Sequence, residues 1–213
     1  MTERTVVHLL RHGEVYNPTG VLYGRLPDFH LSDLGREMAQ RAADALKDRD
    51  IVAVWASPLE RAIETATPIA ESHDLPITID EQLLESENDF EGLKMGGKDG
   101  ALRQPKYWKL LRDPFTPSWG EPYRQIADRM QVVVAQARDA SLGHEVVMVS
   151  HQMPIWAARL AYENRRLWHD PRKRQCSLAS LTSLVFADTT LEAIVYTEPS
   201  SDLAARASKG AGA

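Results

Sequence analysis

The stretch Thr5-Val6-Val7-His8-Leu9-Leu10-Arg11-His12-Gly13-Glu14 decides the fold. From Thr5 to Leu10 it is β-branched or apolar except at His8, the composition of a strand buried on both faces of a sheet. That strand ends directly in Arg11-His12-Gly13. Two more buried runs follow, Ile51 to Ala56 and Val146 to Ser150, the second ending in His151-Gln152-Met153-Pro154.

Helical periods separate these strands. Ser32 can cap a helix running to about Asp48, with Leu34, Met38, Ala42, Ala45 and Leu46 on one face. Ser57-Pro58-Leu59-Glu60 reads as another helix start, with Ser57 as N-cap, Pro58 at the first helical position and Glu60 closing a capping box; this helix runs to about His73. Ile77 to Ile79 is a short strand, and residues 80–120 are irregular, broken by Gly and Pro, and form the pocket. Pro122 to Ala140 and Ile155 to about Glu163 are helical by period. Leu178 to Ala187 and Leu191 to Thr197 are strands around an Asp188-Thr189-Thr190 turn.

Strands alternating with helices predict an α/β three-layer sandwich, a mostly parallel central sheet flanked by helices, as one domain over residues 1–198. Residues 199–213 thin to Ser, Ala, Gly and Lys and read as a flexible tail. In such sheets ligands bind beyond the carboxyl ends of the strands. Arg11-His12 and His151 stand at those ends, and Arg61 falls in the first turn of a helix leaving a third strand.

The bulk composition excludes several classes. A length of 213 residues supports one sizeable core, and a formal charge of -5 argues against a nucleic-acid partner. Cys176 is the only cysteine, so no intrachain disulfide or thiolate metal cage can be built, which fits the cytosol. No apolar run approaches the roughly 18 residues of a membrane span.

The segments LLRHGEVYNP around His12, SPLERAIETA around Arg61 and VSHQMP around His151 together resemble the histidine phosphatase superfamily, or phosphoglycerate mutase-like family. The resemblance extends to about Thr197, and GVLYGRLPDFHLSDLG looks like the family's loop after the first motif. It implies a phosphohistidine enzyme with His12 as nucleophile and Arg11, Arg61 and His151 around the phosphoryl group. It also implies an acid in LLESENDFEG, where Glu85 is preferred and Glu87 is its rival. Asn17 lies one residue closer to the RHG motif than the family pattern has it. Asn17, Gly24, Arg25 and Gln152 complete the expected phosphate and substrate pocket.

The residue types suit that chemistry on their own terms. A phosphate dianion needs fixed positive donors, and Arg11 and Arg61 carry planar forks that match phosphoryl oxygens. A neutral imidazole, with a reference pKa of about 6.5, can attack without a separate base. His151, protonated beside phosphate, would stabilise the transferring group, and an alkyl leaving group needs a carboxyl acid. No metal and no cofactor is required.

Other candidates receive a structural reading. His8 is a core histidine, and His30, His73, His144 and His169 have no partners at metal-ligand spacing. Tyr107, Trp108, Trp119 and Tyr123 read as loop anchors, with lining of a substrate pocket as the alternative. DPRKRQ, from Asp170 to Gln175, reads as a solvated loop, with capture of an acidic substrate as the alternative. The expected function is metal-independent hydrolysis of a small phosphate monoester. A cofactor-dependent phosphoglycerate mutase and a non-catalytic phospho-ligand binder are the alternatives.

Overall fold

The computed structural model describes residues 3–113 and 117–207. Arg4–Arg11 forms β1 and Asp33–Leu46 α1; β2 (Ile51–Ala56), α2 (Glu60–Ser72) and β3 (Ile77–Ile79) follow. After the irregular stretch come α3 (Tyr123–Ala140), β4 (Glu145–Ser150), α4 (Gln152–Tyr162), β5 (Leu181–Ala187) and β6 (Thr190–Thr197). The strands order as β3-β2-β4-β1-β5-β6 in a six-stranded sheet. The first four are mutually parallel, whereas β5 runs antiparallel to β1, and β6 to β5, as an edge hairpin.

Alternation along the central strands sorts the core into two layers. Val7, Leu9, Val146 and Met148 face α3 and α4, where Met130, Val133, Val134, Ile155 and Ala158 bury them. Leu10, Val147, Val149 and Val54 face the other way, against Ala42, Ala43, Ala62, Ala66 and Ile69. Their alanines let α1 and α2 lie close to the sheet. No helix among the described residues is long and apolar enough to cross a membrane.

Four local expectations change. Ser32 caps α1 as expected, accepting from Gly35 N at 2.9 Å, but the buried face carries Ala39 and Ala43 while Ala45 is exposed. Helix α2 starts at Glu60 with Leu59 as N-cap and no side-chain cap; the Ser57 hydroxyl lies 2.8 Å from His151 Nε2 and accepts from Leu59 N at 3.5 Å, ahead of the helix. Helix α4 begins at Gln152, since proline is tolerated in a first turn, where its missing N–H costs no bond. Beyond Pro199, Ser201–Arg206 is a 3-10 turn whose Leu203 is buried with Met38 and Ala179. One apolar side chain thus docks part of the segment read as a tail, whose residues 208–213 lie outside the described ones.

Candidate active site

Strand register assembles the site. Arg11 pairs with Ser150 across β1 and β4, and Ala56 pairs with Val149 across β2 and β4, so all three strands end at one level. Two bonds extend the ladders past those ends: His12 N donates to Ser150 O at 3.1 Å, and Ser57 N to Val149 O at 2.9 Å. Gly13 must be glycine, because a Cβ there would sit 2.4 Å from Gly35 O at the start of α1. Its N–H donates to Thr65 Oγ1, which itself donates to Arg61 O at 2.7 Å and ties β1 to α2.

His12 is fully buried, and its Nδ1 lies 2.7 Å from Gly13 O. A carbonyl only accepts, so Nδ1 carries the proton and Nε2 keeps its lone pair. Burial, then Arg61 and Arg11, push the His12 pKa well below the usual histidine value, against the Gly13 carbonyl. The ring is therefore neutral at physiological pH. His151, 5.2 Å away between ring centroids, is likewise buried and held neutral by burial and by Arg61, His12, Arg11 and Arg129. The protonated His151 expected from sequence thus requires an arriving anion, whose charge reverses that balance.

Arg61 is fully buried; its Nη2 donates to Gly24 O at 2.5 Å and its guanidinium lies 4.7 Å from the centroid of the Tyr23 ring. Arg11 donates from Nη1 to Cys176 O at 2.8 Å. What remains unbonded is informative. Among the described residues thirteen buried side-chain polar atoms lack a partner, and six of them are Arg11 Nε, His12 Nε2, Arg61 Nε, Arg61 Nη1, Glu85 Oε2 and His151 Nδ1. Buried polar groups are normally paired, so this concentration marks a place kept for a polar ligand. The first N–H groups of α4 add donors at the positive end of a helix.

Glu85 and Glu87 separate cleanly. Glu85 is buried and bonds through one oxygen to Ser86 N, and its charge acts on Arg61, Tyr23 and Arg174. Glu87 is 67% exposed at its side chain and pairs outward with Arg25.

The remaining candidates organise the walls. Asn17 does not project into the cluster: its oxygen accepts from Gly20 N and Val21 N and its nitrogen donates to Val21 O, closing its own loop. The shorter spacing from the RHG motif leaves this side chain to cap a turn. Gly24, at φ +40°, presents its carbonyl to Arg61 where a Cβ would strike Glu91. Arg25 donates from Nε to Glu85 O at 2.6 Å and pairs with Glu87 and Glu121, which fixes the loop carrying Glu85. Gln152 accepts from Arg174 Nη1 at 3.2 Å. Sequence reading passed over Tyr23, gave Ser57 only a capping role, and left Arg174 in a run read as a solvated loop with acidic-substrate capture as the alternative. Tyr23 had a signal in its place beside Gly24-Arg25, and Ser57 resembled a helix cap.

A family model of the histidine phosphatase superfamily (branch 1) matches residues 7–198. Uncharacterized protein Rv0525 of Mycobacterium tuberculosis is 59% identical over 93% of this chain and 98% of its own length. A metal-independent phosphoserine phosphatase of Arabidopsis thaliana is 31% identical over 70% of this chain and 65% of its own. The native structure of mycobacterial glucosyl-3-phosphoglycerate phosphatase superposes with a TM-score of 0.70 at 30% identity, covering 87% of this chain and 91% of that one.

Proposed function

Because the chain belongs to the histidine phosphatase superfamily, branch 1, we propose that it hydrolyses a small phosphate monoester, without a metal, through a phosphohistidine on His12. The observation that carries this reading is the set of buried, unbonded atoms on Arg11, His12, Arg61, His151 and Glu85. The unbonded guanidinium nitrogens offer donors to the equatorial phosphoryl oxygens. Nε2 of His12 attacks phosphorus in line, and the oxygen bond to the leaving group breaks. Glu85 gives that oxygen its proton, then takes one from the water that cleaves the phosphorus-nitrogen bond. His151 gains charge as the dianion enters and stabilises the transferring group. The names of the phosphoserine and glucosyl-3-phosphoglycerate relatives favour transfer to water over transfer back to substrate.

Rapid quenching with phosphorus-labelled p-nitrophenyl phosphate tests the mechanism. The label should be stable in base, labile in acid and absent from His12→Ala, and turnover should survive EDTA. A base-labile label, or activity restored only by added magnesium or zinc, refutes the reading. Return of the label to 3-phosphoglycerate faster than phosphate release would make the protein a mutase.

A further inference from the structure

Arg174 belongs to a run read in sequence as a solvated loop, with capture of an acidic substrate as the alternative, and its neighbours behave as solvated residues. Pro171–Lys173 is an exposed 3-10 turn in which Asp170 accepts from Arg172 N, Nε and Nη2. With the adjacent acid thus taken, Arg174 turns inward. Its Nε donates to His169 Nε2 at 2.8 Å and its Nη1 to Gln152 Oε1 at 3.2 Å. Both partners are neutral: His169 gives its own proton from Nδ1 to Leu167 O, and burial holds its pKa down. His169 packs against Tyr123 and Trp156, with ring centroids 5.5 and 5.9 Å away, so the guanidinium rests on a rigid base. Among the described residues Arg174 forms no ion pair, and its Nη2 bonds to nothing.

Position gives this unpaired cation its meaning. Glu85 is the strongest charge acting on Arg174, and Arg11 is also among its neighbours. Gln152, which holds Arg174, also donates to Cys176 O, the carbonyl that holds Arg11. On the phosphatase reading above, Glu85 protonates the departing oxygen, so Arg174 stands on the leaving-group side. The dianion offsets the charges of Arg11 and Arg61. Glu85 must then be protonated to act as an acid, and Arg174 is left without a counter-charge in a partly desolvated place. A half-buried guanidinium in that position is costly unless the ligand supplies an anion.

We propose that Arg174 binds a carboxylate on the leaving group, so that the substrates are phosphate monoesters of hydroxy acids. A carboxylate reaching Nη2 gains a charge-assisted bond that a neutral ester cannot make.

Two substrate pairs that differ at the carboxylate isolate the effect: 3-phosphoglycerate against glycerol 3-phosphate, and phosphoserine against phosphoethanolamine. The wild-type protein should favour the carboxylated member by roughly 10- to 100-fold in kcat/KM, mostly through KM. In Arg174→Gln that ratio should fall to within about threefold of unity, and Arg174→Lys should keep part of it. A wild-type ratio near unity overturns the assignment without touching the phosphatase reading, provided p-nitrophenyl phosphate is turned over. A ratio unchanged in Arg174→Gln, or an equal loss on both members of each pair, also overturns it. If Arg174→Gln fails to fold, the wild-type ratios and Arg174→Lys decide. No turnover of any ester removes the phosphatase reading and this inference with it.

Discussion

β1 carries a buried histidine near its middle and the candidate site has another just past its end, and the two are used in opposite ways. His8 has both nitrogens engaged, Nδ1 with Ser183 Oγ at 2.7 Å and Nε2 with Glu145 Oε2 at 2.8 Å, while Arg49 grips the same carboxylate at 2.9 and 2.7 Å. Burial works to raise the Glu145 carboxyl, but the bonds to His8 and Arg49 outweigh it and hold the pKa at about 2. His12 has one nitrogen tied to its neighbour's carbonyl and the other tied to nothing. One cluster spends its hydrogen bonds on cohesion. The other withholds them, a cost in folding free energy that only a ligand recovers.

The sharpest way to break this comparison is to remove each histidine in turn. His12→Ala should lower kcat/KM by at least about 10⁴-fold, because it removes the group that attacks phosphorus while His151 serves only to stabilise the transferring group. His8→Ala should keep activity within about threefold; a comparable loss from a folded His8→Ala protein would end the distinction. Arg61→Lys should cost about 10² to 10³-fold, since an ammonium keeps the charge but not the fork. Near-normal kinetics would place Arg61 outside the phosphoryl pocket. Glu85→Gln should slow alkyl phosphates by about 10²-fold and p-nitrophenyl phosphate by less than about tenfold, because nitrophenolate leaves without a proton. An equal loss on both would deny Glu85 the acid role.

The cohesive cluster answers in stability instead. His8→Ala should cost about 1–3 kcal/mol, or roughly 3–10 °C of thermal midpoint, by leaving Ser183 and one edge of Glu145 unpaired. An unchanged midpoint would show the bonds to be dispensable. The smallest effect is in acid. The native Glu145 carboxyl releases its proton more readily than the unfolded one, with its ordinary value of 4.5, so its contribution is complete above 4.5 and fades as the pH falls towards 2. Urea melts of wild type and Glu145→Gln should therefore differ at pH 7 and draw together as the pH falls from 4.5 towards 2. A gap that widens in acid would reverse the sign.

How much of this the sequence disclosed follows from which signals are local. Arg11, His12 and His151 were legible because each interrupts an apolar run where a buried strand must stop, and Arg61 because its helix follows a third such run. Ser57 was misread because Ser-Pro-x-Glu is the same four letters whether the hydroxyl caps a helix or meets His151. Glu85 and Glu87 differ by burial, which arises from tertiary packing and leaves no trace in spacing. Asn17 illustrates a motif residue drawn into its own turn. Arg174 lay in a run read as a solvated loop, with capture of an acidic substrate only as the alternative, because its inward turn depends on Asp170 being taken by Arg172 and on the His169 shelf.

The central position of β1 carries a consequence for how the protein comes into being. Its neighbours are β4 and β5, built from residues 145–150 and 181–187, so β1 cannot be sheathed until more than a hundred further residues have been made. Until then Val6, Val7, Leu9 and Leu10 are without their partners. Pairings so distant in sequence close slowly, and a growing chain in that state invites association with others like it. A chain stopped before Ala179 would lack the strand that closes one side of β1, and with it the Ala179 N–H that donates to the His12 carbonyl. Completion of the candidate site and escape from aggregation would thus arrive together, with the β5-β6 hairpin.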